Sequence, residues 1–283
     1  MYRYVRKYVG PLKACILDWS GTTADKYVIA PAVVFRDVFR KHGVPITMAE
    51  ARLPMGLRKD LHIAEILQIP EVAERWELKH GVPPNEKDVE KMFADFVPLQ
   101  LACLPDYSTL IYGTKQAVYD LRHKYNLKIG MTTGFTREMV DVLLKETRAQ
   151  GYSPDCAVAG DDVIHGARPG PFMVYKNLDI LDVSPIQSVV KVDDTIGGIG
   201  EGLAAGCWTI GVSRYSNYMD VDSLEHERSL SMEELEARNK KSREMLQNAG
   251  AHFVVDTIAD VPAVVESINI RLRLGIMPYS LTI

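Results

Sequence analysis

The chain has 283 residues, 47% of them hydrophobic and 25% charged, which is enough apolar material for one large or two moderate domains with a real core. Its formal net charge of −4 gives no basic footprint for nucleic acid. No apolar run approaches the ~18 residues of a membrane span, and the basic N-terminus "MYRYVRKYVGPLK" lacks the apolar centre of a secretion signal. A cytoplasmic protein with no nucleic-acid or membrane partner is expected, and its four cysteines (Cys15, Cys103, Cys156, Cys207) form no CxxC pair that would argue for a zinc site or a disulfide framework.

In chain order, the first apolar run is "KACILD" at 13–18, which ends on Asp18 and is followed at once by Ser20, Gly21, Thr22 and Thr23. Between Thr23 and about Asp106 no strand is apparent. "PAVVFRDVFRKHG" has apolar positions 33, 34, 35, 38 and 39 and stops at Gly43, as a helix does. Thr47 and Glu50 make a capping-box pair before a short helix broken by Pro54. "LHIAEIL" and "DVEKMFADFVPLQLACL" read as further helices. Apolar runs then recur at 128–133, 155–160, 188–194, 208–212 and 252–256, continuous rather than alternating, as strands of a sheet covered on both faces are. Helical stretches separate most of them: "TREMVDVLLKETRAQG" ends in Gly151, and "SMEELEARNKKSREMLQNAG" opens with a Ser231–Glu234 capping box. "GGIGEGLAAG" lacks the GxGxxG spacing and reads as a tight strand-to-helix turn. The expected fold is α/β: a Rossmann-like parallel sheet core from residues 1–24 and 106–283, with an all-helical cap domain, 25–105, inserted after the first strand.

In such a sheet, ligands gather at the carboxyl ends of the strands. Those ends supply Asp18 and Ser20, then Thr132, Thr133 and Gly134, then Asp161 and Asp162 followed by Arg168, then Asp193, Asp194 and Thr195. The set suits phosphoryl chemistry. Carboxylates hold Mg²⁺, a hydroxyl and a guanidinium neutralise phosphoryl oxygens, and an aspartate beside the metal can attack phosphorus. Singly, each residue has an ordinary structural reading: a strand-end cap for Asp18, β-formers for the threonines, a loop cation for Arg168 and a solvated turn for the Asp pair.

"DWSGTT", "TTGFTREM", "ARPGPFM" and "KVDDT" resemble, in order and spacing, the four motifs of the haloacid dehalogenase superfamily. The resemblance implies that Asp18 is the nucleophile, that Thr132 binds the phosphoryl group with Arg168, and that Mg²⁺ is held by Asp18, Asp194 and the backbone carbonyl of Ser20. Two departures stand out. Most phosphatases and mutases of the superfamily have a general acid where this chain has Ser20, and serine cannot protonate a leaving group at neutral pH. Many members also have an acid where this chain has Gly198, a charge that Asp193 is placed to supply.

A missing acid demands another route to a good leaving group. "EARLPMGLRKDLH", residues 50–62, resembles the cap segment of the phosphonoacetaldehyde hydrolase (phosphonatase) family, in which a lysine forms a Schiff base with the substrate. That lysine matches Lys59, and Met55 and His62 match residues bordering the site. The resemblance therefore implies a small phosphonate substrate, a role in degrading 2-aminoethylphosphonate and a homodimer through the cap. Only about one lysine in a few thousand is neutral at pH 7, so burial and nearby cations, with Arg52 and Arg58 as candidates, are expected to activate Lys59. A phosphatase or phosphomutase of the superfamily and a catalytically silent relative are the alternatives. Ser20 argues against the first, and the intact set of Asp18, Thr132, Arg168 and Asp194 argues against the second.

Overall fold

The computed structural model describes residues 7–279. Six strands, β1 (Ala14–Leu17), β2 (Lys128–Thr132), β3 (Cys156–Val158), β4 (Val189–Asp193), β5 (Trp208–Val212) and β6 (Phe253–Val255), form one sheet in the order β3-β2-β1-β4-β5-β6. Every pairing is parallel. Each strand lies within an apolar run read from the sequence. The chain leaves β1 first toward β2 and β3 and later crosses back to β4. The strand order therefore reverses at β1, the place where such sheets open a crevice at their carboxyl edge.

Ahead of α6 and β2, the insert that follows β1 holds five α-helices: α1 (Ile29–Lys41), α2 (Met48–Arg52), α3 (Lys59–Gln68), α4 (Pro70–His80) and α5 (Glu86–Cys103). The capping box of Thr47 and Glu50 starts α2 as its residues foretell. The charged helix α4 buries only Val72 and Trp76, so its apolar stripe is too thin to stand out in the sequence. Next come α6 (Thr114–His123), α7 (Arg137–Ala149), α8 (Phe172–Leu181), α9 (Ile196–Ala205), α10 (Leu224–Ser229), α11 (Met232–Asn248) and α12 (Val261–Arg273).

The short strand β1 explains why its run is apolar throughout. Cys15 and Leu17 face a core cluster shared with α6, α7 and α12, while Ala14 and Ile16 face a second cluster under α8. The first cluster runs without a break into the inserted helices, through Phe35, Ile63, Trp76 and Phe96. The two chain crossings between sheet and insert lie side by side, joined by an Ala24–Leu110 bridge and by the Ile111 amide donating to the Thr23 carbonyl at 2.9 Å.

"GGIGEGLAAG" is not a turn: it forms helix α9 itself. Its glycines serve close packing. A Cβ on Gly202 would lie 2.6 Å from Thr209 Cγ2 and 2.9 Å from Lys191 Cβ, so α9 lies flush on β4 and β5. Glycine lowers helix propensity by about 1 kcal/mol relative to alanine, and burial of this face offsets that loss.

Candidate active site

Asp18 follows directly on β1, and its amide donates to the Val192 carbonyl of β4 at 2.9 Å. The turn after it is tied by Thr23, whose hydroxyl donates to the Asp18 carbonyl at 3.0 Å. Gly21 sits at φ +77°, and a Cβ there would stand 2.4 Å from Asp194 Oδ2. Only glycine lets the turn pass that close to the carboxylate. The sequence "DWSGTT" thus fixes Asp18 against the neighbouring strand and brings it beside Asp194.

Arg168 is the hub of the buried charges. Its Nη2 lies 2.5 Å from Asp18 Oδ1, 3.0 Å from the Thr132 carbonyl, 3.1 Å from Thr132 Oγ1 and 3.2 Å from Asp193 Oδ2. Its Nε donates to Glu201 Oε2 of α9 at 3.0 Å. Lys191 and Asp193 sit two apart on β4 and so share a face, with Nζ 2.7 Å from Oδ2. Burial weakens the Arg168 charge, but Asp18, Asp193 and Glu201 more than compensate and hold it firmly protonated. Burial raises the Asp18 carboxyl to about 6; Arg168 pulls it back down and Asp193 pushes it up. Burial also penalises the Asp193 carboxylate, yet Arg168 and Lys191 keep it below its ordinary range.

Asp18, Asp193 and Asp194 bring carboxylate oxygens within 4.8 Å of one another. The three differ in what is free. Asp193 spends Oδ1 on the Thr195 amide (2.9 Å) and hydroxyl (2.8 Å), and Oδ2 on Lys191 and Arg168. Asp194 accepts the Asn217 amide at Oδ2 (2.9 Å), whereas its buried Oδ1 has no hydrogen-bond partner. Burial, Asp18 and Asp193 all drive the Asp194 carboxyl well above its usual value. An orphaned carboxylate oxygen beside a second carboxylate fits a hard, oxygen-seeking dication, with Asp18 and Asp194 as the available side chains. Asp193 is already neutralised. A Cβ on Gly198 would stand 1.9 Å from its carboxyl carbon, so the Asp193 side chain occupies the space that an acid at 198 would need.

Lys59 begins α3 in the insert and is 4% exposed. Its Nζ lies 4.6 Å from the Phe135 ring centroid and 5.8 Å from that of Phe35. Burial lowers its pKa to about 7, helped by Arg168 and opposed by Asp18 and Asp25. A helix N-terminus, positive itself, acts in the same direction. Arg52 and Arg58 are not the activating cations. Arg58 pairs with Asp60, and Arg52 turns to the carbonyls of Tyr27 and Val221.

Asp18, Ser20, Met55, Lys59, Arg168 and Asp194 line one narrow cavity between the sheet edge and the insert. Its volume of about 20 Å³ is room for about one water. The loop 54–57 presses on the sheet edge: a Cβ on Gly56 would stand 2.8 Å from Thr195 Oγ1, and one on Gly134 would stand 2.5 Å from the Leu57 carbonyl oxygen.

Other residues named from the sequence lie elsewhere. Thr132 touches the site through Arg168, its hydroxyl 3.1 Å from Nη2 and 3.2 Å from Glu201 Oε2, while Thr133 lines the cavity. The alternation of side chains at a strand end puts only one of two adjacent threonines at the edge, and neighbouring residues do not say which. His62 is fully buried, stacked on Phe35 at 3.9 Å, with Nε2 2.9 Å from the Ala51 carbonyl, and does not line the cavity. Burial and Lys59 hold its imidazole neutral. Asp161 and Asp162 do not converge on the site. Asp161 accepts the Arg137 amide at 2.8 Å, and Asp162 pairs with the Arg137 guanidinium. The buried partners Lys191, in "KVDDT", and Glu201, in "GGIGEGLAAG", are not singled out by the sequence, since a charge inside an apolar run shows its burial only in the fold.

Residues 12–206 match the family described as haloacid dehalogenase-like hydrolase. The phosphonoacetaldehyde hydrolase of Bacillus cytotoxicus is 42% identical over 258 residues, 91% of this chain and 97% of the relative. That of Syntrophobacter fumaroxidans is 41% identical over 273 residues, 96% and 98% of the two chains. A crystal structure of a phosphonoacetaldehyde hydrolase-like protein from Oleispira antarctica superposes with a TM-score of 0.93 at 37% identity, covering 98% of this chain and all of that one. Catalytic geometry, fold and these likenesses agree: the chain is a hydrolase and belongs to the phosphonoacetaldehyde hydrolase family of haloacid dehalogenase-like enzymes.

Proposed function

We propose that the protein hydrolyses the phosphorus–carbon bond of phosphonoacetaldehyde, giving acetaldehyde and phosphate, as a step in the breakdown of 2-aminoethylphosphonate. The observation that carries this reading is a lysine from the insert, with its pKa brought to about 7, lining the same narrow cavity as Asp18.

Neutral Lys59 Nζ adds to the aldehyde carbon and water departs, leaving a protonated imine. Asp18 attacks phosphorus, the P–C bond breaks, and its electron pair passes into the iminium to form an enamine. No acid is then needed at Ser20, because the leaving carbon is never a free carbanion. Water cleaves the aspartyl phosphate and restores Asp18. The enamine takes a proton on carbon, and hydrolysis of the resulting imine releases acetaldehyde and Lys59. Arg168, 2.5 Å from Asp18 Oδ1, balances the phosphoryl charge; the Thr132 hydroxyl lies beside its guanidinium, and Thr133 lines the cavity. Met55 walls the cavity, while neutral His62 supports Phe35 beneath Lys59 rather than carrying protons.

Asp18, Asp194 and the Ser20 carbonyl would hold Mg²⁺, which when bound offsets the charge of the phosphoryl group and of the attacking carboxylate. Asp193 serves this site by fixing Arg168 and Lys191, not as a ligand. A homodimer formed through the cap and a cytoplasmic setting complete the proposal; among the described residues no helix is long and apolar enough to cross a membrane.

The test is borohydride reduction in the presence of phosphonoacetaldehyde, followed by peptide mass spectrometry. A two-carbon adduct on Lys59 is expected, together with loss of turnover in Lys59→Ala. Full activity of that variant, or fast hydrolysis of phosphate esters without phosphonate cleavage, would replace this reading with an ordinary phosphatase.

A further inference from the structure

The cavity holds about one water, so substrate can enter only if the insert moves away from the sheet edge. One buried residue joins that movement to the carboxylates. Asn217, 2% exposed, lies in the loop that follows β5. Its backbone amide donates to Asp194 Oδ2 at 2.9 Å. Its side-chain amide grips Arg52 of α2 twice: Oδ1 accepts from Nη1 at 3.2 Å, and Nδ2 donates to the Arg52 carbonyl at 3.1 Å.

Arg52 is itself 3% exposed and spans the junction. Nη1 donates to the Tyr27 carbonyl and Nη2 to the Val221 carbonyl, both at 2.6 Å, and Nε lies 3.5 Å from Asp222. Tyr27 belongs to the crossing from sheet to insert, where Asp25, Tyr27 and Val28 all take positive φ (48°, 64° and 55°). That conformation is unfavourable for tyrosine and for β-branched valine, and it persists only where neighbours impose it. Lifting α2 from the sheet edge must therefore break the bonds of Arg52 to Asn217 and Val221 or carry loop 213–222 with it. In the second case the Asn217 amide moves relative to Asp194.

We propose that Asn217 is a positioning residue that couples closure of the insert to the orientation of Asp194, so that a divalent cation at Asp194 and a closed cap stabilise each other. The inference rests on the reading of Asp194 as a cation ligand. Linkage makes the effect reciprocal: whatever closure contributes to cation affinity, the cation contributes to closure.

Hydrogen exchange read by mass spectrometry, with Mg²⁺ and with a chelator, tests it alongside calorimetric Mg²⁺ titration. In the unaltered protein Mg²⁺ should slow exchange of 48–57 and of 213–222, by roughly 5- to 100-fold. Asn217→Ala keeps the backbone amide and removes the grip on Arg52. Mg²⁺ should then still protect 213–222 but protect 48–57 several-fold less, Arg52 keeping only its bonds to Val221 and Asp222 in that loop, and Mg²⁺ affinity should fall by a comparable factor. Unchanged Mg²⁺ protection of 48–57 in Asn217→Ala overturns the coupling. So does Mg²⁺ binding to the unaltered protein with no change at 48–57, a result that needs no variant to fold. No Mg²⁺ binding at all to the unaltered protein removes the cation reading, and the coupling with it.

Discussion

Lys59 shows how a single residue can be set for chemistry at a cost in stability. In the unfolded chain its pKa is near 10.4; in the folded protein it is about 7. Below pH 7 both states hold the proton and the burial penalty is complete. Between about 7 and 10.4 only the unfolded chain holds it, so this group's contribution makes stability rise with pH across that window. Lys59→Met should therefore stabilise the protein by about 1–3 kcal/mol at pH 7 in urea unfolding, with the gain shrinking toward pH 10. It should also abolish borohydride trapping. In the unaltered enzyme, kcat/KM should climb with pH through about 7 as the free amine forms; a flat profile from pH 6 to 8 would contradict this. Asp194 makes a second prediction at this scale. Burial and two neighbouring carboxyls raise its pKa, so Mg²⁺ binding should expel a proton. Calorimetric heats in buffers of different ionisation enthalpy should then differ, and the difference should grow as pH is lowered.

Among the elements, α9 is the one whose sequence and role are most easily misjudged. Its glycines suggest a flexible turn, yet Gly198 and Gly202 mark places where β4 or β5 comes close, and Gly200 stands against Pro169. Gly198 and Asp193 compete for one space. Gly198→Asp should lower stability by about 2–4 kcal/mol, because the Asp193 carboxylate is held by Lys191, Arg168 and Thr195 and cannot yield. Combining it with Asp193→Gly should recover a large part of that loss, a non-additive outcome that thermal unfolding of the double-mutant cycle would measure. If the two substitutions proved additive, shared space would not be the reason for Gly198.

For the whole molecule, function depends on how tightly the insert meets the sheet edge. Gly134 and Gly56 set that distance from opposite sides, against the Leu57 carbonyl and Thr195. Gly134→Ala should prop the insert open without disturbing either core cluster. Because displacing reacting groups by about 1 Å can cost about 100-fold, kcat/KM should fall by about that factor while circular dichroism and melting change little. A variant with unaltered kcat/KM would mean that the closed contact at Gly134 is not part of the working state.

The sequence by itself determined the layers and their order. Runs of four to six apolar residues ending in carboxylates, hydroxyls or an arginine place strands and their functional edge, because a strand covered on both faces must be apolar throughout. The motifs around Asp18, Arg168 and Asp194 and the lysine at 59 were legible through their resemblance to the motifs of the haloacid dehalogenase superfamily and to the phosphonatase cap segment. Only the tertiary structure decided the rest. It chose Thr133 over Thr132 at the cavity wall, turned Arg52 and Arg58 away from Lys59 in favour of Arg168, sent Asp161 and Asp162 to Arg137, and buried Lys191 and Glu201 behind the guanidinium. These outcomes depend on which side chains meet across strands and between sheet and insert. Such distances of a few ångströms between residues far apart in the chain leave no local pattern.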